Sequence, residues 1–199
     1  MVLRASIVLV VALALVMVEL TSRSGVAWRL TTFTYQAGVA AAAFHAWALV
    51  SRTAAGRPGL RGAVTLYVLV AGLVWNVFLV EVSMGYTPAN MLLHIVLPVL
   101  VLVEWMVVGR EQSAVRRWHP LAWLLYPLAY LVLALLVLNE AGRRAPYPFL
   151  DPEAVGAATV AGNVCLLALG FVSLGYVLAL LGWSSVAVRG AWRRRGRPV

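Results

Sequence analysis

The chain alternates long apolar runs with short polar breaks. The runs occupy residues 4–21, 30–50, 62–82, 88–108, 119–138 and 158–183, and they carry almost no charge. An apolar run of about 18 residues or more matches the hydrocarbon thickness of a bilayer, whereas a soluble core helix is shorter and polar on one face. The pattern predicts an all-α polytopic membrane protein with six transmembrane helices forming one domain over residues 1–199. Most breaks are too short to hold a soluble domain. The longest, residues 139–157, contains PYPFLDPE, and its prolines and aromatics predict an ordered interfacial loop. The first run follows Arg4 but no clear small-x-small cleavage site comes after it, so it reads as a helix rather than a signal peptide.

Composition sharpens this. Hydrophobic residues make up 63% of the chain and charged residues 12%, against roughly 25% charged in a soluble domain. The net charge is +9, and all sixteen basic residues are arginine. That bias suggests a GC-rich genome and hence a bacterial plasma membrane. The charge lies in loops and a tail, where it reads as topology and not as a nucleic-acid surface. Twelve arginines fall on one side: Arg4, Arg52, Arg57, Arg61, Arg110, Arg116, Arg117, Arg189, Arg193, Arg194, Arg195 and Arg197. Four fall on the other: Arg23, Arg29, Arg143 and Arg144. The excess predicts cytoplasmic N- and C-termini, with residues 184–199 a basic tail at the surface of anionic lipid. The single cysteine, Cys165, lies in an apolar run and reads as a small buried side chain. With no Cys/His cluster, neither metal nor organic cofactor is expected.

The polar intrusions carry the chemistry. Residues 90–108, NMLLHIVLPVLVLVEWMVV, hold His94, Pro98 and Glu104 in an otherwise apolar span. Ionisable residues in a span are rare and face the bundle interior. Pro98 has no N–H, so the His94 carbonyl four residues back loses its helical partner and a kink is predicted there. At about 1.5 Å of rise per residue, Thr32, Gln36, Asn76, Glu81, Asn90, His94 and Asn163 fall in one outer-leaflet layer contributed by four helices. Polar groups in hydrocarbon seek each other, so this layer is the candidate site. A second layer near the inner face holds His45 and Glu104, whose expected contact is an ion pair or hydrogen bond tethering two helices.

A threonine hydroxyl becomes a nucleophile when a base takes its proton, and histidine is the usual base near neutrality. Thr32 and His94 form a chemically sensible pair, with Asn90, Glu81 or Asn163 available to orient the imidazole or hold an oxyanion. No G-x-S-x-G, H-E-x-x-H or phosphate-loop motif is present.

Trp28-Arg29-Leu30-Thr31-Thr32-Phe33 resembles the W-K-[FY]-L-T-F segment of the androgen-induced membrane proteins, and Leu93-His94-Ile95-Val96-Leu97-Pro98 resembles that family's histidine segment. The FTYQ, LLHIVLPVLVLVEW, YPLAY and PYPFLD segments are similar to those of the family's bacterial six-helix relatives, so the resemblance covers most of residues 28–182. It implies a multipass hydrolase of fatty acid esters of hydroxy fatty acids, with Thr32 as nucleophile and His94 as base. Thr31 is the rival nucleophile, because the family has an apolar residue at its position.

The leading expectation is therefore an intramembrane lipid-ester hydrolase that takes an acyl substrate from between its helices. Its rival is a non-enzymatic membrane protein that binds or moves a lipid or other hydrophobic ligand, with His94 as a polar anchor. Proton or ion conduction through the two polar layers is disfavoured by the apolar stretch between them.

Overall fold

The structure, a computed structural model, describes residues 1–21, 25–81, 85–108, 114–138 and 147–195. Val82, the first eight residues of the 139–157 loop, and Arg23, Arg110, Arg143, Arg144 and Arg197 lie outside the described residues. Apart from short turns the described chain is helical, and the described residues form no strands.

The six long helices are α1 (Val2–Thr21), α2 (Phe33–Val50), α3 (Pro58–Leu79), α4 (Pro88–Val108), α5 (His119–Leu136) and α6 (Ala157–Arg195). Among the described residues five of them, all but α2, are long and apolar enough to cross a membrane. Helix α2 has 18 residues, yet Thr34, Tyr35, Gln36 and His45 lower its apolarity. It packs against α1 and α3, and its small residues Ala37, Gly38, Ala41 and Ala48 are buried in the bundle.

Helix α1 buries a single stripe, Ile7, Val11, Ala14 and Val18, at the three-and-four spacing of one helical face. Its other faces expose Leu9, Leu13 and Val16, the pattern of a helix that meets lipid on its outer side. Helix α3 starts at Pro58 rather than near residue 62, because proline at the first turn costs no hydrogen bond. Helix α6 is longer than predicted. Its 39 residues, at about 1.5 Å each, exceed the bilayer core of about 30 Å. Residues 184–195 of the predicted tail thus continue the helix instead of leaving it. In the last interhelical loop, Tyr147 to Leu150 form an ordered turn, and the Asp151 side chain accepts from the Glu153 N–H at 2.9 Å to cap a short helix.

One end of the bundle is tied by a buried triad. Glu104 Oε1 accepts from Arg4 Nε at 3.0 Å, and Glu104 Oε2 accepts from Arg61 Nε at 2.8 Å. Arg61 also donates to the Glu104 carbonyl and lies over the Trp105 ring at 5.4 Å, while Arg4 reaches the Ala48 carbonyl at 2.9 Å. Trp105 Nε1 donates to the Leu178 carbonyl at 3.0 Å. These contacts join α1, α2, α3, α4 and α6. The expected His45–Glu104 contact is not formed. Both Glu104 oxygens are taken by guanidinium groups, which are permanently charged and fit a carboxylate better than imidazole does. His45 is fully buried beside Phe44, and neither ring nitrogen has a partner.

Candidate functional site

His94 sits in a π-helical turn, Leu92–Val96, immediately before Pro98. The carbonyl that Pro98 cannot serve is served from outside. Asn76 Nδ2 on α3 donates to the His94 carbonyl at 3.0 Å and to the Gly72 carbonyl at 2.8 Å. The approach is close enough to need glycine. A Cβ on Gly72 would lie 2.7 Å from Pro98 Cγ and 3.1 Å from the His94 oxygen. Helix α3 is itself π-helical over Trp75–Leu79, and the Trp75 ring stacks on the His94 ring with centroids 4.6 Å apart and planes 10° apart. Two π-turns therefore face each other across α3 and α4, a distortion that recurs at functional sites. The His94 imidazole lies near the Ala71 backbone, and its Nδ1 is buried with no hydrogen-bond partner in the protein. Tyr86 closes this site, edge-on to Trp75 at 5.1 Å and donating weakly to Asn76 Oδ1 at 3.4 Å.

The threonines belong to a different neighbourhood. Thr31 Oγ1 donates to the Trp28 carbonyl at 2.7 Å and Thr32 Oγ1 to the Arg29 carbonyl at 2.8 Å. Both hydroxyls bond back to their own turn, and Thr32 shares no hydrogen bond with His94. Thr32 is the extended residue before α2, with φ −91° and ψ 145°, so the helix begins at Phe33. Gln36 bridges two elements: its Nε2 donates to the Leu30 carbonyl at 2.8 Å and its Oε1 accepts from Tyr126 Oη at 2.7 Å.

The other predicted site residues are dispersed. Asn90 Nδ2 holds the Gly85 carbonyl at 2.7 Å, and the Asn90 N–H is capped by Thr87 Oγ1 at 3.3 Å, so Asn90 organises the entry to α4. Asn163 Nδ2 donates to the Phe149 carbonyl at 2.8 Å and pins the last loop onto α6. Glu81 is exposed. Of the predicted layer, Asn76 and His94 are joined by a side-chain hydrogen bond between helices, whereas Thr32 and Gln36 meet through the backbone at the start of α2.

An aromatic cluster holds α5 at a distance from its neighbours. Phe33 at the start of α2 meets Tyr67, Tyr126, Tyr130 and Phe171 at ring separations of 5.4–6.1 Å. Beside it Tyr147 Oη accepts from the Phe33 N–H at 3.1 Å, and it also interacts with the hydroxyls of Thr34 and Tyr130. Tyr130 Oη donates to the Thr31 carbonyl at 3.1 Å. Burial holds the Tyr147 phenol above its ordinary range, so the oxygen keeps its proton.

The side chains that carry these hydroxyls stand at one end of a groove whose wall is almost wholly apolar. Its narrower lobe, about 90 Å³, lies between the start of α2, α3, α5, α6 and the last loop, and Thr34, Tyr130 and Tyr147 are in its wall. Its wider lobe, about 330 Å³, lies between α3 and α6 and has Asn163 as its one uncharged polar side chain. Val70, Val74, Phe149, Leu167 and Phe171 line both lobes, so the two spaces lie side by side and share a wall. The wider lobe opens outward, since Leu73, Val77, Phe78 and Leu166 in its wall are more than half exposed. Sequence reasoning missed Thr34, Trp75, Tyr126, Tyr130 and Tyr147 as site residues. The available signal was the i, i+4 pair of tyrosines in YPLAY, which places two hydroxyls on one face of α5.

Among the described residues no group of three or more His, Cys, Asp or Glu side chains is placed to hold a metal ion. Comparison of the chain with protein-family models, with curated proteins and with solved structures gives no match.

Proposed function

We propose that the protein is an integral membrane protein that holds a hydrophobic lipid in the groove between α3, α5 and α6. The observation that carries this reading is the groove itself, apolar along its length among the described residues and open on the side of the exposed apolar residues. Sites for hydrophobic ligands are concave and mostly apolar. The arginine asymmetry supports a six-span topology with cytoplasmic termini, α2 being the sheltered sixth span. The resemblance of residues 28–33 and 93–98 to the androgen-induced membrane proteins, and to their bacterial relatives, supports a lipid-related role in a bacterial plasma membrane.

The test is to purify the protein from its membrane, extract it and identify retained lipid by mass spectrometry. Val74→Trp and Leu167→Trp fill the shared wall of the two lobes and are expected to reduce the retained lipid sharply. Retention equal to the parent in folded groove-filled variants would sink the reading.

A lipid-ester hydrolase is the second reading, and His94 Nδ1 favours it, since its lone pair has no partner in the protein and can accept the hydrogen bond of a hydroxyl. Catalysis requires Thr32 Oγ1 to leave the Arg29 carbonyl and reach that nitrogen. Labelling by a fluorophosphonate probe, lost in both Thr32→Ala and His94→Ala, is the expected result of this mechanism. Loss in Thr31→Ala alone assigns the nucleophile to Thr31. A folded parent that takes no label places binding ahead of hydrolysis.

A further inference from the structure

We propose that the pocket between the α4–α5 connection and α6, lined by Ala114, Val115, Arg116, Arg117 and Trp183, binds the phosphate head group of an anionic phospholipid. The site is separate from the groove between α3, α5 and α6, and among the described residues the two share no wall.

The backbone of the connection is held in place by the helices around it. Trp183 Nε1 on α6 donates to the Val115 carbonyl at 3.1 Å, and the Val115 side chain is buried. The Arg116 N–H donates to His119 Nδ1 at 2.9 Å, and the His119 N–H returns a bond to the Arg116 carbonyl at 3.0 Å. Pro120 follows, fully buried, and lies so near α6 that a Cβ on Gly175 would come within 3.2 Å of the proline Cβ. With the backbone tied inward, the Arg116 and Arg117 side chains are exposed in the wall of a pocket of about 650 Å³, where polar and apolar surface are mixed. Arg4 and Arg61 are committed to Glu104, whereas among the described residues neither the Arg116 nor the Arg117 guanidinium forms an ion pair or hydrogen bond.

The pocket lies at head-group depth. Trp105, near the end of α4, donates to the Leu178 carbonyl, and Trp183 is farther along α6 by about 7 Å at the helical rise. Helix α4 ends at Val108 and α5 begins at His119, so the connection lies past both apolar spans. Trp118, more than half exposed, and Trp183 are of the residue type that settles where hydrocarbon gives way to head groups. Leu180, one turn back from Trp183 on the same face of α6, is also more than half exposed and offers a surface to an acyl chain.

The chemistry of the wall selects charge. A guanidinium meets phosphate oxygens through paired N–H donors in a planar fork, and two of them on adjacent residues can share one phosphodiester. A zwitterionic lipid carries its own ammonium to the same place and gains less than a lipid of net negative charge. Any exposed arginine at this surface is drawn to anionic lipid by proximity. The pocket adds directed hydrogen bonds to that general attraction.

The experiment places the full chain in nanodiscs of phosphatidylcholine alone or mixed equally with phosphatidylglycerol. Modification of individual arginines by phenylglyoxal is followed by peptide mass spectrometry. Phosphatidylglycerol is expected to slow the modification of Arg116 and Arg117 about ten-fold, the equivalent of one hydrogen bond to a charged group. Arg52, exposed at the same end of the bundle and outside the pocket, reports surface attraction alone and should slow much less. Inorganic phosphate added to phosphatidylcholine discs should protect neither pocket arginine. Arg117→Gln is expected to weaken the protection of Arg116, and Trp183→Phe, which keeps a ring but gives up the bond to Val115, to weaken it at both arginines. Neither should change Arg52. Equal slowing of Arg52 and the pocket pair, or slowing of none of them, overturns the site. Protection of Arg116 that survives both substitutions undiminished does the same. Inorganic phosphate protecting as well as the lipid overturns the phospholipid assignment in favour of a free anion.

Discussion

The amide of Asn76 replaces, at 3.0 Å on the His94 carbonyl, the hydrogen bond that Pro98 denies to its own helix. Two helices are thereby joined through a defect in one of them. A buried carbonyl stripped of its donor costs about 1–3 kcal/mol. Asn76→Leu is therefore expected to lower stability by about that much, measured by denaturant or SDS unfolding of the purified protein. In a Pro98→Ala background the restored N–H can serve the same carbonyl, so Asn76→Leu should then cost clearly less. Equal costs in the two backgrounds would show that the Asn76 bond contributes through something other than the proline gap.

The same contact sets the spacing of α3 and α4. Gly72→Ala places a methyl 2.7 Å from Pro98 Cγ and 3.1 Å from the His94 oxygen, with backbone on one side and a rigid ring on the other. Overpacking of this kind costs about 1–3 kcal/mol. Gly162→Ala, where nothing lies within 4 Å, is the control and should change little. The Trp75–His94 stack provides a second readout, because separating the helices should alter the tryptophan emission of Gly72→Ala but not of Gly162→Ala.

The lengths of the apolar runs made most of the helical architecture legible. The runs at 88–108 and 119–138 agree with α4 and α5 to within a few residues, and the interrupted hydrogen bond at His94 follows from Pro98 alone. What hydropathy does not encode is rotation about each helix axis and the direction of a side chain. Thr32 and His94 match in depth, yet the Thr32 hydroxyl turns back to Arg29 while His94 turns toward Trp75 and Ala71. Charge counting places Arg4 and Arg61 in loops, whereas both turn onto the buried Glu104, Arg61 fully buried and Arg4 partly so. An arginine near the end of a run can serve as a topology signal or as half of an ion pair, and only the packing of five helices decides between them.

That triad yields its own asymmetry. Removing the carboxylate leaves Arg4 and Arg61 facing each other in a buried site, and breaking a buried pair from one side costs about 3–5 kcal/mol. Glu104→Gln is expected to fall at the lower end of that range, since its amide can still accept one hydrogen bond, and Glu104→Leu at the upper end. Arg4→Ala should cost less than Arg61→Ala, because the Arg4 side chain retains 14% exposure against 3% and reaches water more easily. Unfolding curves for the four variants give the order directly, and Arg4→Ala costing more than Arg61→Ala would contradict it.

His45 reverses the usual expectation for a buried polar residue. It is fully buried, and neither ring nitrogen has a hydrogen-bond partner in the protein. Replacing an unsatisfied polar group with an apolar one of similar shape is neutral or stabilising. The ring packs edge-on to Phe44 at 5.3 Å, so the replacement must keep the volume. His45→Leu is therefore expected to hold or raise the unfolding midpoint, whereas His45→Ala should lower it by the cost of a cavity, about 2 kcal/mol or more. If His45→Leu instead destabilises the protein as much as His45→Ala, the imidazole is gaining a polar bond, and the nearest groups able to provide it through a bridging water are those of the Arg4–Glu104–Arg61 triad, which already influences His45 electrostatically.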